Sequence, residues 1–74
     1  MPTIDVPAPM AGSVKELLVA VGDSVNAGDE LLIIESMKME IPLESPASGQ
    51  IAEILAAATQ KIDEGDILLR LTTA

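Results

Sequence analysis

Short apolar stretches separated by turn-forming residues run the length of this chain. Thr3-Ile4-Asp5-Val6 is strand-like, and Pro7 and Pro9 then restrict the backbone and end it. From Ser13 to Val21 the apolar positions are Val14, Leu17, Leu18, Val19 and Val21; the β-branched content and the Gly22-Asp23 turn signal favour strand over helix. Ser24-Val25-Asn26 reads as a short extended piece, followed by a turn at Asn26-Ala27-Gly28-Asp29. Leu31-Leu32-Ile33-Ile34 is a continuous apolar run between turn signals, the pattern of a buried strand. Ile41 and Leu43, with Pro42 between them, indicate a strand at a sheet edge. Ser45 to Gly49 is a loop, and the Ala-rich run from Ile51 to Ala58 fits helix as well as strand. Asp63-Glu64-Gly65-Asp66 turns the chain into a last apolar run, Ile67 to Leu71.

An internal repeat resolves the ambiguity. Shifting the chain by 37 residues lays Pro9–Ser36 over Pro46–Thr73 without a gap, and nine of the 28 pairs are identical, among them Gly12/Gly49, Glu16/Glu53, Gly28/Gly65, Asp29/Asp66 and Leu31/Leu68. Matching glycines and apolar positions imply matching turns and core faces, so Ile51–Ala58 follows its partner Val14–Val21 into strand. Two copies of an ordered run of short strands predict an all-β fold, an antiparallel sandwich or flattened barrel in which two halves, about 9–36 and 46–73, cover each other's apolar faces around a pseudo-two-fold. The link between the halves, at 37–38, then forms a tight hairpin within a single domain, 1–74.

Composition removes several function classes. The chain has no Cys, His, Phe, Tyr or Trp. Disulfides and thiolate chemistry are therefore excluded, the usual neutral-pH base and commonest metal ligand are missing, and no ring is available for base stacking. Twelve acidic against four basic residues give a net charge of −8, which argues against nucleic acid or an anionic membrane as partner and for a monomer. With no spanning-length apolar run and no signal-peptide pattern, a cytoplasmic setting is expected. An independent enzyme fails for want of a nucleophile–base pair. Asp63-Glu64-Gly65-Asp66 lacks the alternating oxygen spacing of a calcium loop and reads as a turn.

The stretch that carries chemistry is Glu35-Ser36-Met37-Lys38-Met39-Glu40. A lone turn lysine is ordinarily a solubilising charge, and methionines are ordinarily core filler. Here, however, Lys38 falls in the junction that has no counterpart in the repeat. Met37 and Met39 on a hairpin tip cannot both be buried, so they offer an apolar surface for another protein. A lysine that is to carry a prosthetic group must enter a modifying enzyme, and a narrow β-turn presents it. Once acylated, its stem becomes an arm that raises the effective concentration of the group at separate active sites. Forming an amide at its nitrogen releases a proton, which the modifying enzyme must take up. Glu35 and Glu40 supply carboxylates that could lie near it.

This stretch resembles the biotin-attachment motif of biotin carboxyl carrier domains, in which Met-Lys-Met centres on the biotinylated lysine. Ala8-Pro9-Met10-Ala11-Gly12 and the two Gly-Asp turns, Gly28-Asp29 and Gly65-Asp66, resemble the same family, so the similarity runs from about Ile4 to Leu71. The resemblance implies a flattened sandwich of two four-stranded antiparallel sheets (a barrel-sandwich hybrid) with Lys38 at a hairpin tip. Lys38 would take biotin, as covalent cofactor, from a biotin protein ligase using biotinyl-adenylate. A biotin carboxylase would load carboxylate onto the ring, and a carboxyltransferase would pass it to an acceptor. Met37 and Met39 would serve recognition, with Glu35, Ser36 and Glu40 as hairpin context. Three departures are visible. Thr59-Gln60 replaces the Gly-containing turn of the first half, which predicts a looser or differently shaped loop. No thumb insertion is present. No Ala/Pro-rich linker precedes the domain, and Met1 favours a stand-alone carrier over an excised domain. Two rivals share features: a lipoyl carrier domain of a 2-oxoacid dehydrogenase complex, which usually has Asp before the lysine and a small residue after it, and an unmodified hybrid-motif interaction module, which normally carries a helical hairpin near its midpoint.

Overall fold

The computed structural model describes residues 2–73, so Met1, on which the stand-alone expectation rested, lies outside the described residues. The described residues form eight strands: β1 (Thr3–Pro7), β2 (Gly12–Leu17), β3 (Ser24–Val25), β4 (Glu30–Ser36), β5 (Met39–Glu44), β6 (Gly49–Ile54), β7 (Lys61–Ile62) and β8 (Ile67–Thr72). They build two four-stranded antiparallel sheets, ordered β1-β8-β6-β3 and β5-β4-β2-β7, which remain separate and do not close into a barrel. The second sheet carries the Met37–Lys38 hairpin and is called the lysine-bearing sheet below.

The repeat is a symmetry of the topology. Advancing each strand of the first half to its counterpart, β1 to β5 through β4 to β8, turns one sheet order into the other. Register follows: Thr3↔Thr72 in one sheet corresponds to Glu40↔Glu35 in the other. Each sheet takes its two central strands from one half and its two edge strands from the other, so neither half has a complete sheet of its own. The core reads in matched pairs across the repeat: Val14/Ile51, Val25/Ile62, Leu31/Leu68, Leu32/Leu69 and Ile34/Leu71 are all buried, with Val6, Ala8 and Ala56 beside them. Consecutive Leu31 and Leu32 both face inward because a bulge between Glu30 and Leu32 puts two residues of β4 opposite one of β5. Edges are managed by brevity in β3 and β7, two residues each, and by Pro42 with Glu40 and Glu44 in β5.

The apolar runs are longer than the strands they form. β2 stops at Leu17 and β6 at Ile54, short of the predicted ends at Val21 and Ala58. The next amide of each run still bonds the neighbouring strand, and the chain then leaves the sheet into a turn. Leu18 N donates to Leu31 O (3.0 Å), Leu55 N donates to Leu68 O (2.9 Å), and a side-chain-capped turn begins at Ala20 and at Ala57.

Thr59-Gln60 does not make a looser loop; it reproduces its partner turn closely. Thr59 takes the left-handed conformation of Gly22 (φ 68° against 95°). Gln60 Oε1 accepts from Ala57 N at 2.8 Å as Asp23 Oδ2 accepts from Ala20 N at 2.9 Å. Each turn then docks on the other half's strand, through Thr59 N to Val14 O and Val14 N to Gln60 O, or Gly22 N to Ile51 O and Ile51 N to Asp23 O. These cross-half hydrogen bonds hold the turn in shape, and a β-branched residue accepts an unfavourable φ to keep them. Replacing Thr59 with Gly relieves a left-handed penalty of about 1–2 kcal/mol, partly offset by glycine's greater unfolded-state freedom. Thr59→Gly is therefore expected to raise stability by about 1 kcal/mol in urea unfolding, and Gly22→Thr to lower it by a similar amount.

Candidate functional site

β4 and β5 are joined by two residues only, Met37 and Lys38, closed by the Ser36↔Met39 pair. Both lie at positive φ, 52° and 65°, which makes this a type I′ turn, whose twist matches that of the flanking strands. The turn ordinarily selects Asn-Gly, because L-residues pay a steric penalty there; Met-Lys meets the geometry at a cost of about 1–2 kcal/mol per residue. Such strain is expected where the side chain matters more than the backbone preference. Lys38 is exposed at the tip, Met37 is 92% exposed and Met39 59%, so both methionines flank the amine on the outside of the molecule.

The other residues of the stretch lie one step down. Glu35 and Glu40 face each other directly across β4 and β5, and both are exposed. Glu40 does not serve Lys38: its carboxylate is ion-paired to Lys15, which stands at the β2 bulge between Val14 and Glu16. That contact, foremost by its direct hydrogen bond, raises the Lys15 amine above the ordinary lysine value. Among the described residues Lys38 has no ion-pair partner, so its amine is left for a partner to engage. Ser36 is half-buried and turns away from the tip, its Oγ donating to Ala11 O at 3.0 Å.

That bond explains the place of Ala8-Pro9-Met10-Ala11-Gly12. The segment is pinned by Ala8 N to Asp66 O (2.7 Å) and Gly65 N to Ala8 O (2.9 Å), and then passes beside the base of the hairpin. A Cβ on Gly12 would lie 2.6 Å from Glu35 O and 3.2 Å from the Ser36 Cβ, so only glycine lets β2 start this close to β4. The hairpin is thus clamped at its base and open at its tip. The sequence alone did not reveal the Lys15–Glu40 pair, the Ser36–Ala11 bond or the reason for Gly12, since each joins residues about 25 apart in the chain.

A shallow groove lies among the turns of the first half, lined by Val19, Asp23, Val25, Asp29 and Glu30, and it includes none of the residues from Glu35 to Met39. Asp63-Glu64-Gly65-Asp66 is a turn, with Asp66 Oδ2 accepting from Asp63 N, and no cluster of three or more His, Asp or Glu suited to a metal occurs among the described residues. The site is one exposed lysine on a stiff, narrow protrusion. Its class is a domain built to present a lysine.

Comparison with known proteins agrees. The family model described as biotin-requiring enzyme (biotin/lipoyl attachment) matches residues 4–71, and this chain belongs to that family of non-catalytic carrier modules. It is 53% identical over 36 residues to the methylmalonyl-CoA carboxyltransferase 1.3S subunit of Propionibacterium freudenreichii subsp. shermanii, a match covering 49% of this chain and 29% of that one. It is 51% identical over 39 residues to a biotinylated protein TB7.3 homolog of Mycobacterium leprae, covering 53% and 55%. A match of 53% over 34 residues joins it to the dihydrolipoyllysine-residue acetyltransferase component of the pyruvate dehydrogenase complex of Haemophilus influenzae, covering 46% and 6%. A solved single-chain, multi-domain long-chain acyl-CoA carboxylase superposes with a TM-score of 0.91 at 30% identity, over 97% of this chain and 7% of that one. The chain thus matches well under two thirds of the length of each of these relatives.

The strain in the turn has a measurable consequence. Replacing Met37-Lys38 by Asn-Gly is expected to raise unfolding free energy by about 1 kcal/mol or more while removing the amine altogether, as read by urea denaturation. Gly12→Ala is expected to cost about 1–3 kcal/mol, since its methyl group meets a backbone carbonyl that cannot rotate away.

Proposed function

We propose that this chain is a biotin carboxyl carrier domain of a biotin-dependent carboxylase or decarboxylase, with biotin joined to Lys38 through an amide. The observation that carries this reading is the Met37-Lys38-Met39 triplet on a two-residue type I′ hairpin with both methionines exposed. The turn holds the amine clear of the body, so that a biotin protein ligase reaches it without unfolding the domain. The lysine gives up its proton to the ligase, and its Nζ attacks the activated acyl carbon to form the amide as the leaving group departs. Biotin supplies a ring nitrogen that takes up and releases carboxylate. The chain's own part is to present that ring on a long side-chain arm, first to a biotin carboxylase and then to a carboxyltransferase. Which acceptor receives the carboxylate is a property of the carboxyltransferase. The names of the carboxyltransferase subunit and of the biotinylated protein among the relatives support biotin as the group carried.

The second reading is a lipoyl carrier, which the match to the acetyltransferase component of Haemophilus influenzae favours. Met37 and Met39 weigh against it, because lipoyl domains resemble one another in placing Asp and a small residue there.

Purified protein incubated with biotin, ATP and a biotin protein ligase is expected to gain a single adduct by intact mass, and Lys38→Ala to gain none. A folded wild type that takes no biotin but is modified by a lipoyl ligase would establish the second reading instead.

A further inference from the structure

The chain divides at the hairpin tip into residues 2–36, which hold β1 to β4, and 39–73, which hold β5 to β8. Only β2 with β4 and β6 with β8 pair inside a half. The ladders β1 with β8, β4 with β5, β2 with β7 and β3 with β6 all join one half to the other. The contacts that brace the base of the hairpin, Ser36 Oγ to Ala11 O and Gly12 against the Glu35 carbonyl, lie wholly within the first half. None of these contacts uses the Met37-Lys38 link. The bonds that complete a half are therefore the same whether its complement arrives on one chain or on another.

The register at the tip suits such an exchange. Ile34↔Ile41, Glu35↔Glu40 and Ser36↔Met39 follow one another without a slip, and the next pair in that register is Met37 with Lys38. Within one chain these two are adjacent and must turn back, each at positive φ, 52° and 65°. Between two antiparallel copies, Met37 of one chain faces Lys38 of the other, and the two-fold axis falls between them. The ladder of β4 and β5 then runs from one copy into the next with its register kept. Both residues become extended, which removes the left-handed penalty of the type I′ turn. The two closing pairs lie about 10 Å apart at the rise of a strand, so the lobes meet tip to tip.

We infer that this chain forms a strand-exchanged dimer with a second copy of itself, with Met37 and Lys38 as the hinge. Residues 2–36 of each copy complete residues 39–73 of the other, so each lobe repeats the single-chain fold and its core. The dimer gains the relief of two strained hinges and loses the translational freedom of one chain, so its share rises with concentration. The net charge of −8 per chain opposes association, and salt that screens it favours the dimer. Exchange requires every ladder between the halves to open, so the two forms interconvert only through unfolding. In the dimer Lys38 no longer stands at a tip. It lies within a continuous ribbon between two lobes, where an enzyme that must take the lysine into its active site is obstructed on both sides. The exchange withholds the lysine and is independent of which group Lys38 carries.

The test uses the Thr3↔Thr72 pair of β1 and β8 in a chain that has no Cys of its own. Thr3→Cys with Thr72→Cys is unfolded in urea, refolded at high concentration and high salt, and separated in the cold by size exclusion with light scattering. After oxidation, the dimer fraction is expected to give a covalent dimer in denaturing, non-reducing mass measurement, while the monomer fraction closes on itself. Replacing Met37-Lys38 by Asn-Gly should lower the wild-type association constant at least about a hundredfold, tenfold for each hinge. Deleting Met37 and Lys38, which leaves no residue to turn, should give a folded dimer alone; a folded monomer would overturn the exchange. Refolding of wild type to monomer only, or a dimer whose cysteines close within each chain, would overturn it equally, and these two arms decide should the deletion variant not fold. The isolated wild-type dimer should take biotin from the ligase at least about tenfold more slowly than the monomer. Equal rates would overturn the withheld lysine, whereas a monomer that takes no biotin overturns the biotin reading and leaves the exchange to the mass measurements.

Discussion

The whole molecule depends on the exchange of strands between its two halves. Because β1 and β3 flank β8 and β6, while β5 and β7 flank β4 and β2, the first half can pair only β2 with β4 within itself. The apolar faces of Leu31, Leu32 and Ile34 are covered only when Leu68, Leu69 and Leu71 arrive from the second half. Each buried aliphatic side chain contributes about 1.5–3 kcal/mol, and that gain comes only with both halves in place. A chain of 74 residues without aromatic side chains or disulfides reaches a stable core in this way, by making every core strand depend on long-range partners. The same exchange fixes the hairpin. Ser36 and Met39 are paired because β4 and β5 are neighbours by topology, and the two residues between them have no freedom to form anything wider.

Rigidity at the base and exposure at the tip follow from different residues. Gly12 allows β2 to press on the Glu35 carbonyl, Ser36 ties the hairpin to Ala11, and the Ala8 amide anchors that segment to Asp66. None of these contacts involves Met37, Lys38 or Met39. The division suits a carrier: the arm must swing, but its point of attachment must be found by each partner in the same place.

Much of the fold was legible in the sequence, for a specific reason. A gap-free repeat doubles the evidence at each aligned position, so that Ile51–Ile54 is read as strand from Val14–Leu17 although its alanines suggest helix. Pro42 announced an edge strand, and the Met-Lys-Met junction announced the tip. The misreadings came where side chains substitute for one another by function and not by type. Gln60 looks unlike Asp23, yet its amide oxygen caps the same amide, and Thr59 holds a glycine's φ because the cross-half hydrogen bonds demand it. Strand ends were overestimated because apolar residues such as Leu18 and Val19 continue the pattern into a turn that the Asp23 carboxylate caps at Ala20. Lys15 and Glu40 were illegible as a pair, since a bulge in β2 decides which way that lysine points.

Locally unfavourable features in a folded chain are informative when they gather in one place. A sequence that folds well agrees with itself at every level, and it departs from that agreement mainly where function requires it. Here the left-handed turn without glycine, the exposed methionines, the Glu35↔Glu40 and Glu30↔Glu44 pairs and the outward Ile33 all belong to β4, β5 and the link between them. Thr59 and the exposed Leu18, Val21 and Leu55 lie elsewhere, and Thr59 has a structural account in the hydrogen bonds it preserves. The opposite sheet, built on the same plan, has a neutral or ion-paired residue at each corresponding outward position of β1 and β8. Both sheets solve the same packing problem, and the one that departs from local agreement is the one that presents Lys38.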